Sequence, residues 1–218
     1  MKIDKDSYGS VLGVVGGAAA AVALIMTLMP LKWPAFILSL IAVWFAVFVT
    51  FFFRVPRRTG PGNGSTVTSV ADGEVVIIEK AYEPEYLKRE AIQVSVYMNF
   101  FDMHANFWPV DGEVTYYKYH PGKHFLAFLP KASLDNEHTC TCIKTPSGQE
   151  VFFKQIAGGF ARRIVNYAEK TPTVKAGDQC GIIKFGSRID MFLPLDADIK
   201  VQLGQVTSAV KTVIAQLQ

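Results

Sequence analysis

The chain has 218 residues, half of them hydrophobic, with 22 basic and 19 acidic side chains and a formal charge of +3. That length holds one ordinary globular domain plus a modest appendage, and so small a charge, with no interleaving of basic and aromatic residues, removes the case for a nucleic-acid partner. Cys140, Cys142 and Cys180 make no even-numbered disulfide framework, and no CxxC pair or histidine spacing completes a metal site, so reduced thiols and no metal are expected.

The hydrophobic excess lies in the first quarter. Residues 11–29 and 35–53 carry no charge, and each supplies about 19 helical residues, roughly 28 Å, near the lower limit for crossing a bilayer. Between them Pro30-Leu31-Lys32-Trp33-Pro34 has the prolines, lysine and interfacial tryptophan of a tight connection at a membrane surface. Residues 1–53 are thus expected to form a membrane hairpin, spanning or re-entrant. A cleaved signal peptide is the alternative for the first segment, but Asp4 and Asp6 mix with its lysines and Thr27-Leu28-Met29 is no small-residue cleavage site. A soluble core helix is the other alternative; against it, Trp44, Phe45, Phe48, Phe51, Phe52 and Phe53 surround the second helix instead of lining one face. Arg54, Arg57 and Arg58 follow the second segment while the short loop offers only Lys32, which places the main domain on the cytoplasmic face of the cell membrane.

Residues 54–65 read as a basic, glycine-rich linker, and residues 66–218 as a β-rich domain. Thr66-Val67-Thr68-Ser69-Val70 runs into the turn signal Ala71-Asp72-Gly73-Glu74 before Val75-Val76-Ile77-Ile78 resumes the sheet. Asp-Gly-Glu-Val occurs at 72–75 and again at 111–114, which points to two similar hairpins in one sheet system. Further strands are expected at 91–98, 150–157, 180–185, 189–193, 198–203 and 211–217, with Gly177, Gly186 and Gly204 at turns. The best helix signals are 161–168 and a short stretch at 83–89. The fold class is mostly β, a barrel or sandwich with lipoyl-like hairpins, carrying an N-terminal two-helix membrane hairpin.

Chemistry gathers at two places. In Phe185-Gly186-Ser187-Arg188-Ile189-Asp190 the Ser187 hydroxyl has an unobstructed path to the Gly186 carbonyl carbon. Attack would turn the amide into an ester. β-Elimination would then leave dehydroalanine, which hydrolyses to ammonia and a pyruvoyl group on the new C-terminal fragment. Taken alone, Gly-Ser is a common loop dipeptide. The second place is Asp102-Met103-His104, where a carboxylate and bulky apolar groups bracket an imidazole; the bland reading is a hydrogen-bonded histidine at a strand end. His120, His124 and His138 receive no catalytic role.

Together the glycine-serine bond near the C-terminus, the early Ala-Asp-Gly turn, the Asp-x-His before a proline-containing strand and the anchored N-terminus resemble a phosphatidylserine decarboxylase of the short, archaeal-like type. The likeness covers about residues 54–217 and includes Tyr119-His120-Pro121-Gly122-Lys123, Lys131-Ala132-Ser133 through Asn136-Glu137, Ile156-Ala157-Gly158 and Ala161-Arg162-Arg163-Ile164. The resemblance implies self-cleavage between Gly186 and Ser187, conversion of Ser187 to a covalent pyruvoyl cofactor, help in cleavage from Asp72, and a part for His104 in decarboxylation. Without it Asp72 reads as a turn carboxylate. Longer relatives carry a second histidine three residues after the first; here that position is Phe107, which leaves open whether His104 serves both steps.

The implied partners are phosphatidylserine, the lipid bilayer and the two fragments, 1–186 and 187–218, held as a subunit pair; a homo-oligomer is compatible with this reading. A pyruvoyl carbonyl condenses with a substrate amine and draws electrons from the Cα–carboxylate bond, so no dissociable cofactor is required. Arg54, Arg57 and Arg58 attract the lipid phosphate or only orient the anchor. Two alternatives stay open: a pyruvoyl decarboxylase of a soluble amino acid, and a non-catalytic, membrane-tethered lipoyl-like adaptor.

Overall fold

A computed structural model of the chain describes residues 2–122, 136–158, 163–184 and 187–218. The chain forms two compact units, Met1–Arg57 and Arg58–Gln218.

In the first unit a short strand β1 (Lys2–Ile3) leads into helices α1 (Tyr8–Leu28) and α2 (Lys32–Phe52), followed by β2 (Arg54–Val55). Each helix has 21 residues, about 31 Å of rise, and both are long and apolar enough to cross a membrane. Large apolar side chains face outward, among them Leu12, Leu24 and Leu28 on α1 and Phe36, Trp44 and Phe45 on α2. The reversal is tighter than the sequence indicates, because α2 begins at Lys32 and takes Pro34 into its first turn, where no backbone donor is missed. Lys32 Nζ donates to the carbonyls of Met26 (3.0 Å) and Met29 (3.3 Å), capping the end of α1. Arg54 does the same for α2 through Phe51 O (2.8 Å), with its guanidinium 4.3 Å from the Phe51 ring centre. β1 and β2 pair antiparallel at the open end, so Arg54 and Val55 belong to this hairpin's base.

The second unit is built on an internal repeat. After β3 (Thr66–Thr68) come the long hairpin β4 (Gly73–Glu83) and β5 (Arg89–Met98), the short β6 (Ala105–Phe107), and a three-strand meander β7 (Gly112–His120), β8 (His138–Lys144) and β9 (Glu150–Ala157). Then follow β10 (Ile164–Asn166), β11 (Thr173–Val174), β12 (Gln179–Ile183), β13 (Ser187–Leu193), β14 (Asp198–Ile199), β15 (Val206–Thr207) and β16 (Val213–Gln216). Eight of these strands make one sheet, ordered β11-β7-β8-β9-β13-β5-β4-β15. Its two halves match about the β9–β13 seam. Both copies of Asp-Gly-Glu-Val open the second strand from an edge, with Glu74 opposite Val206 in one half and Glu113 opposite Thr173 in the other. A register shift then follows at the same place, between Val75 and Ile77 and between Val114 and Tyr116. Gly73 and Gly112 are required by close approach: a Cβ would stand 2.2 Å from Tyr97 O in the first and 2.3 Å from Lys144 O in the second.

Two three-stranded sheets, β10-β12-β6 and β14-β16-β3, share the main core with one face of the large sheet. Val94, Val96, Met98, Phe153, Ile189 and Met191 from the large sheet meet Val67, Ile214, Cys180, Ile183 and Trp108 there. The opposite face buries a smaller cluster, Ala91, Cys140, Cys142, Phe152 and Phe192, under Tyr86 and Leu87 of the β4–β5 turn. This is the mostly β, sandwich-like class with a two-helix apolar hairpin that the sequence indicates.

Local departures have physical causes. The helix expected at 83–89 is a hairpin turn: the buried Glu83 carboxylate accepts the N–H groups of Glu85 (3.1 Å), Tyr86 (2.8 Å) and Leu87 (2.9 Å), and Lys88 at φ 49° turns the chain out of any helix. In the segment expected to be helical at 161–168, Ile164–Asn166 is strand β10, paired with β12, and residues 161–162 lie outside the described residues. The Asp72-Gly73 corner does not close a hairpin, since β3 pairs with β16 in another sheet. Gly177 and Gly204 turn at φ 86° and 78°; Gly186 lies outside the described residues.

Candidate functional site

Ser187 is the first residue of β13, where it faces Met98 of β5 and Ala157 of β9. Cross-strand neighbours share a face, so its side chain lies on the main-core side, fully buried, with Oγ 3.2 Å from Met98 Sδ. The sequence places this strand at 189–193; it starts two residues earlier and takes Ser187 into the ladder.

His104 stands immediately before β6 and is fully buried. Its Nδ1 lies 2.9 Å from Asp102 O. A carbonyl is only an acceptor, so Nδ1 carries the proton and Nε2 is the nitrogen whose lone pair can exchange one. The backbone ties His104 to β12, four residues before Ser187: the N–H of Ile183 donates to His104 O (3.2 Å). Ile183 and Ser187 are therefore both held by the segment 98–104, Ile183 through His104 and Ser187 through Met98. Gly186 itself is outside the described residues. The intervening turn presents Phe100 and Phe101 to the exterior, 43% and 74% exposed, while Asp102 accepts the N–H of Asn99 (2.9 Å). Phe107 is buried in β6.

Beside Ser187 runs a buried polar chain. Asn106 Nδ2 points at Met98 Sδ (3.9 Å), Gln155 Nε2 donates to Asn106 Oδ1 (2.8 Å), and Thr139 Oγ1 and Asn166 Nδ2 donate to Gln155 Oε1 (2.8 and 2.6 Å). Such groups are tolerated in a core only when they satisfy one another, and they then fix it rigidly.

Asp72 sits at the corner ahead of β4. Its carboxylate is clasped by both terminal nitrogens of Arg58, one through Oδ1 and the other through Oδ2 (2.8 Å), and Oδ1 also accepts the N–H of Ala209 (2.8 Å). The structure thus gathers His104 and Ser187 about one loop and ties the Asp72 side chain to Arg58. Arg58 was legible in the sequence only as part of a membrane-facing basic group; nothing local pairs it with a carboxylate fourteen residues on.

A second constellation lies on the opposite face of the sheet, drawn from residues the sequence leaves without a role. Glu85, from the β4–β5 turn, meets His120 at the end of β7 and His138 and Cys140 of β8, with one donor atom of each within 4.8 Å of the others. Burial works against ionisation of Glu85, but hydrogen bonds from Tyr116, His120 and Cys140 outweigh it and bring its carboxyl down to about 2. Burial pushes the Cys140 thiol up and lowers His138. The four positions come from three separate segments, so no spacing in the sequence reveals them.

Residues 45–215 match the family model described as phosphatidylserine decarboxylase. Among similar proteins, the phosphatidylserine decarboxylase proenzyme of Cytophaga hutchinsonii is 46% identical over 165 residues, 76% of this chain and 75% of its own length. That of Amoebophilus asiaticus is 45% identical over 179 residues, covering 82% and 78%. That of Porphyromonas gingivalis is 36% identical over 219 residues, covering 100% and 99%.

Proposed function

Since the chain belongs to the phosphatidylserine decarboxylase family, we propose that it is a proenzyme that cuts itself between Gly186 and Ser187 and then decarboxylates phosphatidylserine to phosphatidylethanolamine at a membrane. The observation that supports this reading is that Ile183 and Ser187, on either side of residues 184–186, are both held by the segment 98–104, Ile183 N–H to His104 O and Ser187 beside Met98. Intramolecular attack needs a positioned hydroxyl, and the Ser187 side chain is held in the β13 ladder beside Met98. The Ser187 hydroxyl would add to the Gly186 carbonyl carbon, its proton would pass through a base to the amide nitrogen, and the C–N bond would break to give the ester and a free amine on Ser187.

Position 187 suits the pyruvoyl group that the family implies. It is sealed from solvent between Ala157 and Met98, while Lys154 lies in register with Asp190, on the opposite face. A keto carbonyl there would be kept from hydration and from capture by a lysine amine. Such a group, once formed, supplies the electron withdrawal for loss of carbon dioxide. The chain's own part is to exclude water, to orient the substrate and to return a proton to the substrate carbon, a task for His104 Nε2 with Nδ1 locked on Asp102 O. Asp72, held by Arg58, would assist cleavage through that pair.

For the lipid substrate the support is threefold: two apolar helices, the cluster Arg54, Arg57 and Arg58 on the cytoplasmic side of the anchor by the positive-inside rule, and the exposed Phe100–Phe101 tip three residues before His104. The fragments 1–186 and 187–218 would stay together, because β13 lies between β5 and β9 in the sheet. Two experiments test the reading. On denaturing gels wild type resolves into two bands and Ser187→Ala into one. Processed enzyme offered phosphatidylserine micelles or free serine releases carbon dioxide from the lipid; preference for free serine would move the assignment to a soluble substrate.

A further inference from the structure

We propose that Glu85, His120, His138 and Cys140 form a binding site for one zinc-type divalent cation, a clamp on the face of the sheet opposite Ser187. The donor set, two imidazoles, one thiolate and one carboxylate, is of the kind that zinc takes in four-coordinate sites. Its charge is also matched: one thiolate and one carboxylate neutralise a divalent ion.

The geometry supports this in three ways. His120 and His138 are directly opposed on β7 and β8, their rings stacked with centres 4.5 Å apart, and Cys140 follows two residues later on the same face. The carboxylate arrives from a different element, the β4–β5 turn, so the donors close in from two sides. Present separations are His120 Nε2 to Glu85 Oε1 2.7 Å and Cys140 Sγ to Glu85 Oε2 3.2 Å, with all four donors within 4.8 Å. Tetrahedral bonds of about 2.0–2.3 Å place ligand atoms roughly 3.3–3.8 Å apart, so an entering ion asks for shifts of about an ångström or less. It would replace the His120 and Cys140 hydrogen bonds to Glu85, the His120 proton moving from Nε2 to Nδ1 by exchange with solvent and the thiol proton passing to solvent.

Supporting contacts are already in place. His138 Nδ1 donates to Asn136 O (2.7 Å), which sets the tautomer and turns Nε2 toward the cluster. Tyr116 OH donates to Glu85 Oε1 (2.7 Å) and fixes the carboxylate. Cys140 is fully buried and His138 nearly so, whereas Glu85 and His120 are partly exposed, which gives the ion a protected seat and an entry path. The ion would fasten the β4–β5 turn to the β7–β8 hairpin. Ser187 is on the other face, so its part is structural.

Full-length protein in detergent, stripped with chelator and re-equilibrated with zinc, should retain one zinc per chain with a Kd below ~1 µM and unfold at a higher temperature with zinc than without. Cobalt in its place should show a sulfur-to-cobalt charge-transfer band that Cys140→Ser abolishes. His138→Ala should weaken zinc binding at least tenfold while circular dichroism stays unchanged; should that variant unfold, His120→Ala, which removes a partly exposed ring, carries the same test. Failure of wild type to retain stoichiometric zinc, or equal retention by Cys140→Ser and His120→Ala, would overturn the site. Because none of these readouts involves decarboxylation, its failure and that of the proposed function are told apart.

Discussion

Asp111 repeats at one end of the eight-stranded sheet the bond that Asp72 makes at the other: Asp72 accepts the backbone N–H of Ala209, and Asp111 that of Ala176, each at 2.8 Å. Each stands before the glycine that opens its half of the sheet. Asp72 differs in also holding Arg58. Fastening the corner is thus the shared duty of the pair, and the guanidinium marks what Asp72 does besides.

The pair separates structure from chemistry. Asp111→Asn should cost about 1–2 kcal/mol, the loss of a charged acceptor at a partly exposed site, and Asp72→Asn at least as much because it also releases Arg58, both read as falls in unfolding temperature. Only Asp72→Asn, and in the same direction Arg58→Gln, should slow the appearance of the 187–218 fragment on gels. Equal processing in Asp72→Asn and Asp111→Asn would reduce Asp72 to a corner residue.

Gly73→Ala sets a Cβ 2.2 Å from Tyr97 O, against backbone that has no room to move. A loss of more than ~2 kcal/mol is expected from the clash together with the unfavourable φ of 155°, measured by denaturant unfolding of the uncut Ser187→Ala background.

His104→Gln keeps a side chain of similar reach but offers no lone pair of suitable basicity. Decarboxylation by processed enzyme should fall by about 10² to 10⁴, with phosphatidylserine binding to the same protein little changed. A loss confined to KM would make His104 a binding residue instead.

Phe101→Ser removes the more exposed ring of the tip. Vesicle binding by the second unit alone, residues 58–218, compared at equal protein in sedimentation assays, should weaken about tenfold on this substitution, the worth of roughly 1.5 kcal/mol of apolar burial. Self-cleavage, which needs no lipid contact from this ring, should proceed at the wild-type rate.

The parts of this molecule that were legible in its sequence are those written in local patterns. Two uncharged runs, short β-branched segments and a repeated Asp-Gly-Glu-Val give the apolar hairpin, the strands and two similar β-hairpins in one sheet, because hydrophobic period and turn chemistry act over a few residues. The stretch 83–89 misleads because Glu, Tyr, Leu, Lys and Arg favour a helix in isolation, while the Glu83 carboxylate captures the turn's N–H groups and Lys88 adopts a left-handed backbone. The site divides the same way. Ser187 and His104 announce themselves by their neighbours, whereas Arg58 with Asp72, and Glu85 with His120, His138 and Cys140, exist only once distant strands are in register.

The mass of the C-terminal fragment tests the central claim most directly. Purified wild-type protein should yield a fragment 187–218 lighter by one ammonia than the peptide beginning with serine, and lacking a free amino terminus. An uncut chain, or a fragment that retains an intact serine at position 187, would contradict the account.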